Sequence, residues 1–176
     1  NGNIVVSWGQ ANGTPGIQTR VLDSHGVPLS GSNVMTSIGT FAYDTVQLEK
    51  TQDGGFVVLG VDHTLSGNAG YGVIKAVKYE VSGNTVTLGT TATVSTNTPS
   101  TTSGCTQPRM AVLADGNIVM VWEDQTAGTG AFYRVYDEDL NPVGDVHALA
   151  NTGGSNTGFT LSHTTVTALP NGGFVI

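Results

Sequence analysis

The string D-G-N-I-V-M-V-W at residues 115–122 returns as N-G-N-I-V-V-S-W at 1–8, as D-G-G-F-V-V-L-G at 53–60 and, cut short, as N-G-G-F-V-I at 171–176. A chain that repeats one stretch in this way is constrained to fold as a series of like units. Each copy opens with Asn or Asp and then Gly, the pair that accepts positive φ in a tight hairpin turn, and runs into β-branched and aromatic residues. In the strand that follows, Ile118, Met120 and Trp122 fall on one side, and Val119 and Val121 on the other. Both sides are apolar, as in a strand buried between neighbouring sheets, whereas an exposed strand would alternate.

The matching extends in both directions. Strand-like runs precede the later copies at 45–48, 110–113 and 166–169. Polar, glycine-rich connections follow at 9–16, 62–70 and 123–130, leading to third strands at 17–22, 71–81 and 131–136. Turns at 23–28, 82–84 and 137–142 lead to weaker fourth strands at 33–36, 85–88 and 143–149. The unit is therefore four strands with a period of about 50 to about 60 residues, in or just above the range of propeller blades. Residues 1–40 form a first unit without its first strand, 41–100 a second, 101–158 a third, and 159–176 the opening strands of a further one. Gly, Thr and Asn interrupt every window before a helical period can build up, so the chain reads as all-β. The polar stretches 95–104 and 151–158 read as exposed connections.

Charged residues make up only 11% of the chain and Gly numbers 25, so hydroxyls, amides and backbone must cover the surface, as in extracellular β-proteins. A net charge of −7 with only six Lys and Arg argues against a nucleic-acid backbone or an anionic membrane as partner. Lys75 and Lys78 share one strand, and a solvated strand edge accounts for them. Cys105 is alone, which rules out an internal disulfide and reads as an inert thiol. No apolar run is long enough to insert into a membrane. A start at Asn1 and a stop inside a strand suggest a segment of a longer polypeptide or a processed product.

The pattern D/N-G-G/N-Φ-V-V/M-x-W, a glycine-rich loop, then R-V-Y/L-D-x-x-x-x-P-V/L closely followed by Gly, resembles the tandem repeats of large secreted or surface-attached bacterial proteins. It is carried by 115–122 with 134–144 and by 1–8 with 20–31, while the second unit departs with Gly60 in the Trp place and 80–84 in place of the Asp-to-Pro turn. The resemblance implies an extracellular protein, secreted or on the cell surface, and a β-propeller-like array of about three four-stranded antiparallel blades. Propellers close with about four to eight blades, so such a ring is incomplete: part of a larger propeller, or closed by assembly. The expected partners are other copies of the chain or further repeats. The expected role is a non-enzymatic structural and interaction module, self-associating or adhesive, as a filament or array subunit is. The alternative is a carbohydrate-binding, lectin-like propeller with glycans held between blades.

Asp137, Asp139 and Asn141 place side-chain oxygens at alternate positions, as calcium loops do for their first ligands. Pro142 stands where such a loop has its glycine, and turn chemistry with Asp capping its own backbone is the competing account. No other cofactor is expected. Glu123 with Asp124, and Asp62 with His63, fall after second strands and could meet metal or sugar hydroxyls, though solvated loops explain them more simply. His25, His63, His147 and His163 show no zinc spacing. Ser7 and Cys105 lack a nucleophile context, and the sequence does not bring Asp44, Glu49, Asp124 and Asp137 together as paired carboxylates, so no enzyme is expected. Trp8 and Trp122 end equivalent strands, where they either pack in the core or stack on a pyranose face. Asn12, followed by Gly13 and Thr14, is a glycosylation acceptor.

Overall fold

The computed structural model describes residues 2–10, 16–29, 34–36, 46–63, 72–83, 85–95, 104–126, 130–151 and 163–176. All regular structure among them is strand, in four antiparallel sheets that follow one another along the chain. Sheet 1 holds β1 (Ile4–Gln10), β2 (Gly16–Leu22) and β3 (Val34–Thr36). Sheet 2 holds β4 (Gln47–Lys50), β5 (Phe56–Asp62), β6 (Val73–Ser82) and β7 (Thr85–Thr93). Sheet 3 holds β8 (Cys105–Val112), β9 (Ile118–Asp124), β10 (Gly130–Tyr136) and β11 (Pro142–Asn151). Sheet 4 is the hairpin β12 (Thr167–Ala168) and β13 (Phe174–Val175). Within each sheet every strand pairs with its neighbours in sequence, and the sheets do not close into a barrel.

Strand β8 begins at Cys105, five residues before the predicted start at 110. Pro108 has no N–H to give a ladder, and the pairing with β9 shifts register between Thr106 and Arg109, with Gln107 at φ 49°. The proline thus sits in a bulge, which lets the strand continue past it.

The repeat turns are not the two-residue type that Asn-Gly or Asp-Gly suggests. In each, a backbone N–H three residues on returns to the first carbonyl, and the first N–H donates to the carbonyl four residues on: Gly54 N to Thr51 O with Thr51 N to Gly55 O, and likewise for Leu113, Leu169, Asp23 and Asp137. Only the fourth residue takes positive φ, at Gly54 (94°), Gly116 (89°), Gly172 (86°) and Gly26 (80°). This is a type I turn closed by a left-handed residue, a three-residue hairpin loop. The Asp or Asn before the glycine instead caps the turn, as Asp115 Oδ1 does by accepting from Asn117 N at 3.0 Å.

Alternation along each strand gives each sheet two sides. The front side carries Ile4, Val6 and Trp8 in sheet 1, Phe56 and Val58 in sheet 2, and Ile118, Met120 and Trp122 in sheet 3, at matching positions. The rear side carries Val5, then Val57 with Leu59, then Val119 with Val121. Three apolar clusters join consecutive sheets, always rear to front. Val5, Ile17 and Val21 of sheet 1 meet Phe56, Val58 and Tyr79 of sheet 2, where Phe56 and Tyr79 stack at 4.9 Å. Val57, Leu59, Val61 and Ile74 of sheet 2 meet Ile118, Met120, Trp122 and Tyr136 of sheet 3. Val119 and Val121 of sheet 3 meet Ala168 and Phe174 of sheet 4. Strands β5 and β9 are consequently buried along their whole length, as the doubly apolar repeat predicts.

Leu140 holds the left-handed place of the turn between β10 and β11, at φ 65°, where the other repeat turns have glycine. A Cβ makes this conformation costly. The side chain compensates because it is 3% exposed and plugs the cluster between sheets 2 and 3. Leu140→Ala is expected to lower stability by about 3 kcal/mol, the usual scale of a core Leu truncation. Leu140→Gly loses the same side chain but relieves the backbone, and should cost about 1 kcal/mol less than the alanine variant. Urea unfolding of both decides this, and a glycine variant no more stable than the alanine variant contradicts the strain assignment.

Candidate functional site

Among the described residues, the junction of sheets 2 and 3 gathers a cluster of one lysine and three carboxylates. Lys78 lies opposite Val57, where sheet 1 has Val21 opposite Val5 and sheet 3 has Val135 opposite Val119. An ammonium therefore stands at an otherwise apolar position, and Lys78 is 3% exposed. Its Nζ lies 2.8 Å from Asp53 Oδ2, 2.9 Å from Asp139 Oδ1 and 3.4 Å from Glu80 Oε1. The expectation of a solvated strand edge is corrected on this point. Even Lys75 is only partly open and pairs with the buried Asp62 at 2.6 Å.

Other contacts tie the same two sheets. Glu138 Oε1 accepts from Asp53 N at 2.9 Å, and Gln52 Nε2 donates to the carbonyls of Leu113 (3.1 Å) and Ala114 (2.9 Å). Burial disfavours the Lys78 ammonium, but Asp53 and Asp139 outweigh it and raise its pKa above the ordinary 10.5. Burial likewise opposes ionisation of Asp53, yet hydrogen bonds from Lys78, Thr51 and Gly55 prevail and bring it from 3.8 to about 2.

The three candidate calcium ligands are divided by this arrangement. Asp137 Oδ1 accepts from the backbone N–H of Asp139 (3.0 Å) and of Asn141 (2.8 Å), and its Oδ2 accepts from the Asn141 side-chain amide at 3.0 Å. The Asn141 amide is also the main reason the Asp137 carboxyl titrates below its ordinary value. Asp139 instead points across the junction to Lys78. Among the described residues no group of three His, Cys, Asp or Glu is placed to hold a metal.

The acids that follow the second strands are not on solvated loops. Asp62, His63, Glu123 and Asp124 are all less than 5% exposed, and both strands run on to include Asp62 and Asp124. Asp124 Oδ1 accepts from Thr126 N at 2.8 Å and Thr126 Oγ1 at 2.6 Å, the local capping that lets a carboxylate end a buried strand. Cys105 is fully buried opposite Asp124. Burial and the neighbouring Asp124 carboxylate push its thiol up to about 12, far from a reactive thiolate.

The remaining candidates are dispersed. Glu49 is in β4, Asp124 ends β9, and Asp137 opens the turn after β10. His25 sits in an exposed turn, His147 stacks on Tyr133 at 5.0 Å, and the His163 N–H reaches Gln107 Oε1. Asp44, Asn12, Gly13 and Thr14 lie outside the described residues.

The two tryptophans part company. Trp122 is 2% exposed and stacks on Phe132 at 6.3 Å, so its ring belongs to the core between sheets 2 and 3. Trp8, at the matching position of sheet 1, is 43% exposed. Ile4 at 43% and Val6 at 38% share its side of β1. The strand alternates because sheet 2 covers its rear side and nothing described covers its front. A cavity of about 500 Å³ opens at the edge of the junction between sheets 1 and 2, lined by Val5, Val21, Leu48, Lys50, Phe56 and Gly83. Gly83 belongs to the short turn between β6 and β7.

Lys78→Met is expected to cost about 1 kcal/mol near neutral pH, since it leaves acids facing each other across the junction that are partly open to solvent. Asp53 has a depressed pKa in the folded state, so its stabilisation is complete above about 3.8 and is lost as pH falls towards 2. The stability gap between wild type and Lys78→Met, from urea unfolding, should therefore shrink between pH 4 and pH 2. It should also shrink at the alkaline end, as pH rises through the raised value of Lys78. A gap independent of pH contradicts the pairing. With Asp139 engaged by Lys78, millimolar calcium should leave the melting temperature unchanged, and a clear rise assigns the turn to the metal.

No protein-family model, no curated protein and no solved structure matches the chain.

Proposed function

We propose that the chain is a non-enzymatic structural and interaction module: an incomplete, propeller-type array of four-stranded blades with the unit boundaries given by its repeat. In this reading it is an extracellular part of a secreted or surface-attached bacterial protein. It works by self-association or adhesion, with other copies or further repeats as partners. The observation that carries the reading is that the front side of sheet 1 is apolar and, among the described residues, uncovered. Ile4, Val6 and Trp8 are 38–43% exposed on sheet 1, while Ile118, Met120 and Trp122 at the matching positions of sheet 3 are 0–2% exposed. Exposed apolar patches of this regularity mark interaction surfaces.

A lectin-like role is supported by the exposed ring of Trp8 and by the cavity between sheets 1 and 2. It ranks second because Trp122 gives its ring to the core and because Ile4 and Val6 extend the Trp8 surface as an apolar strip.

Light scattering across a wide concentration range tests the first reading. The expected result is a mass that rises with concentration above the 18.1 kDa of one chain. A compact monomer at every concentration removes assembly as the function.

A further inference from the structure

The geometry points to a ligand site in the cavity between sheets 1 and 2, one that takes a small aliphatic carboxylate with its chain inside the cavity and its charged group at Lys50. The inference goes beyond the reading of the chain as a self-associating module and does not depend on it.

The cavity of about 500 Å³ lies within the size range of small-ligand sites. Its apolar walls are Val5 and Val21 from sheet 1 and Leu48, Phe56 and Val81 from sheet 2. Lys50 stands at the rim and is exposed, and among the described residues no carboxylate pairs with it. An apolar chamber with one ammonium at its mouth matches a ligand that is apolar along its body and carries one negative charge.

The next junction shows what the same space holds when the chain itself fills it. In the repeat, Val57 and Lys78 of sheet 2 correspond to Val5 and Val21 of sheet 1, and Met110, Val112 and Ile118 of sheet 3 correspond to Leu48, Lys50 and Phe56 of sheet 2. Between those residues the 137–141 turn inserts two neighbouring side chains. Leu140 is 3% exposed in the apolar cluster, and the Asp139 carboxylate lies 2.9 Å from Lys78 Nζ.

At the first junction both halves of that arrangement change. Val21 stands in the place of the lysine, while Lys50 puts an ammonium on the opposite wall in the place of Val112. The long turn is replaced as well, because β6 folds straight back into β7 with Ser82 paired to Thr85. The chamber thus keeps a cation and an apolar interior, and a carboxylate joined to an aliphatic chain supplies the two groups that Asp139 and Leu140 supply next door.

The space originates in the middle of the units. Its filling at the second junction comes from β6 and from the turn after β10. Gln52, the residue just ahead of a repeat copy, instead reaches the carbonyls of Leu113 and Ala114, whose counterparts Thr51 and Gln52 do not line the cavity.

The test uses the whole chain, hexanoate as the probe and backbone amide NMR as the readout. Titration should shift the amides of Asn3, Gly54, Gly55 and Gly83 together and saturably, with a Kd in the millimolar range that suits so few atoms. Hexan-1-ol, which keeps the chain without the charge, should bind about fivefold more weakly, the scale of one exposed charge pair. Acetate, which keeps the charge without the chain, should bind more than about tenfold more weakly. Lys50→Met should weaken hexanoate about fivefold and leave hexan-1-ol unchanged, and Lys50→Arg should restore the preference for hexanoate. The site is exposed, and circular dichroism verifies that both variants fold. The assignment is overturned if these amides show no saturable shift up to about 20 mM hexanoate, if saturable shifts fall elsewhere, or if hexanoate and hexan-1-ol bind alike. Self-association is read by light scattering on the unliganded chain, so either result can fail while the other stands.

Discussion

The structure depends on strands that are apolar on both sides. A strand such as β5 or β9 satisfies its backbone within its own sheet, but it can bury Phe56 and Val57, or Ile118 and Val119, only if a further sheet lies on each side. The hydrophobic effect therefore acts along the stack, perpendicular to the sheets, while hydrogen bonds act within them. A stack built on this rule cannot end without cost. Sheet 1 has the same doubly apolar strand and, among the described residues, only one neighbour, which is why β1 shows an open side that β5 and β9 do not.

Much of this was legible in the repeat. The position and order of the strands follow the apolar runs and the Asx-Gly pairs closely, because both signals are local. The kind of turn was not legible, since Asp-Gly fits a two-residue hairpin as well as a longer one; where the backbone N–H of Gly54 and Thr51 go decides between them. The start of β8 was hidden by Pro108, which a bulge accommodates. Charged residues misled most. Lys78 and Asp62 look solvated in a sequence because burial of a charge depends on a partner, and the partners Asp139 and Lys75 come from another sheet or another strand. One clue was present: Lys78 falls in the alternation where the other units have Val21 and Val135.

The candidate sites divide along the same line. Asp137 and Asn141 act within their own turn, as local chemistry predicts, while Asp139 is drawn away by a lysine in the neighbouring sheet. Trp8 and Trp122 are the same residue at the same point of the repeat, and neighbours alone decide that one ring is solvent-facing and the other core. For a repetitive chain, the character of a residue is set by its place in the series as much as by its place in the unit.

That consideration gives the lysine at the second junction a further meaning. Near-identical sheets can in principle stack in the wrong sequence, because a valine-rich rear side fits any valine-rich front. Lys78 limits that freedom at one junction. Its ammonium pairs with Asp53 and Glu80 of its own sheet and gains a third carboxylate, Asp139, from a sheet whose third turn reaches across to it, and sheet 3 has that turn. In the place of Glu138 and Asp139, sheet 1 offers Ser24 and His25. The ion cluster therefore favours sheet 3 over sheet 1 as the neighbour at this junction, where apolar packing alone would not distinguish them.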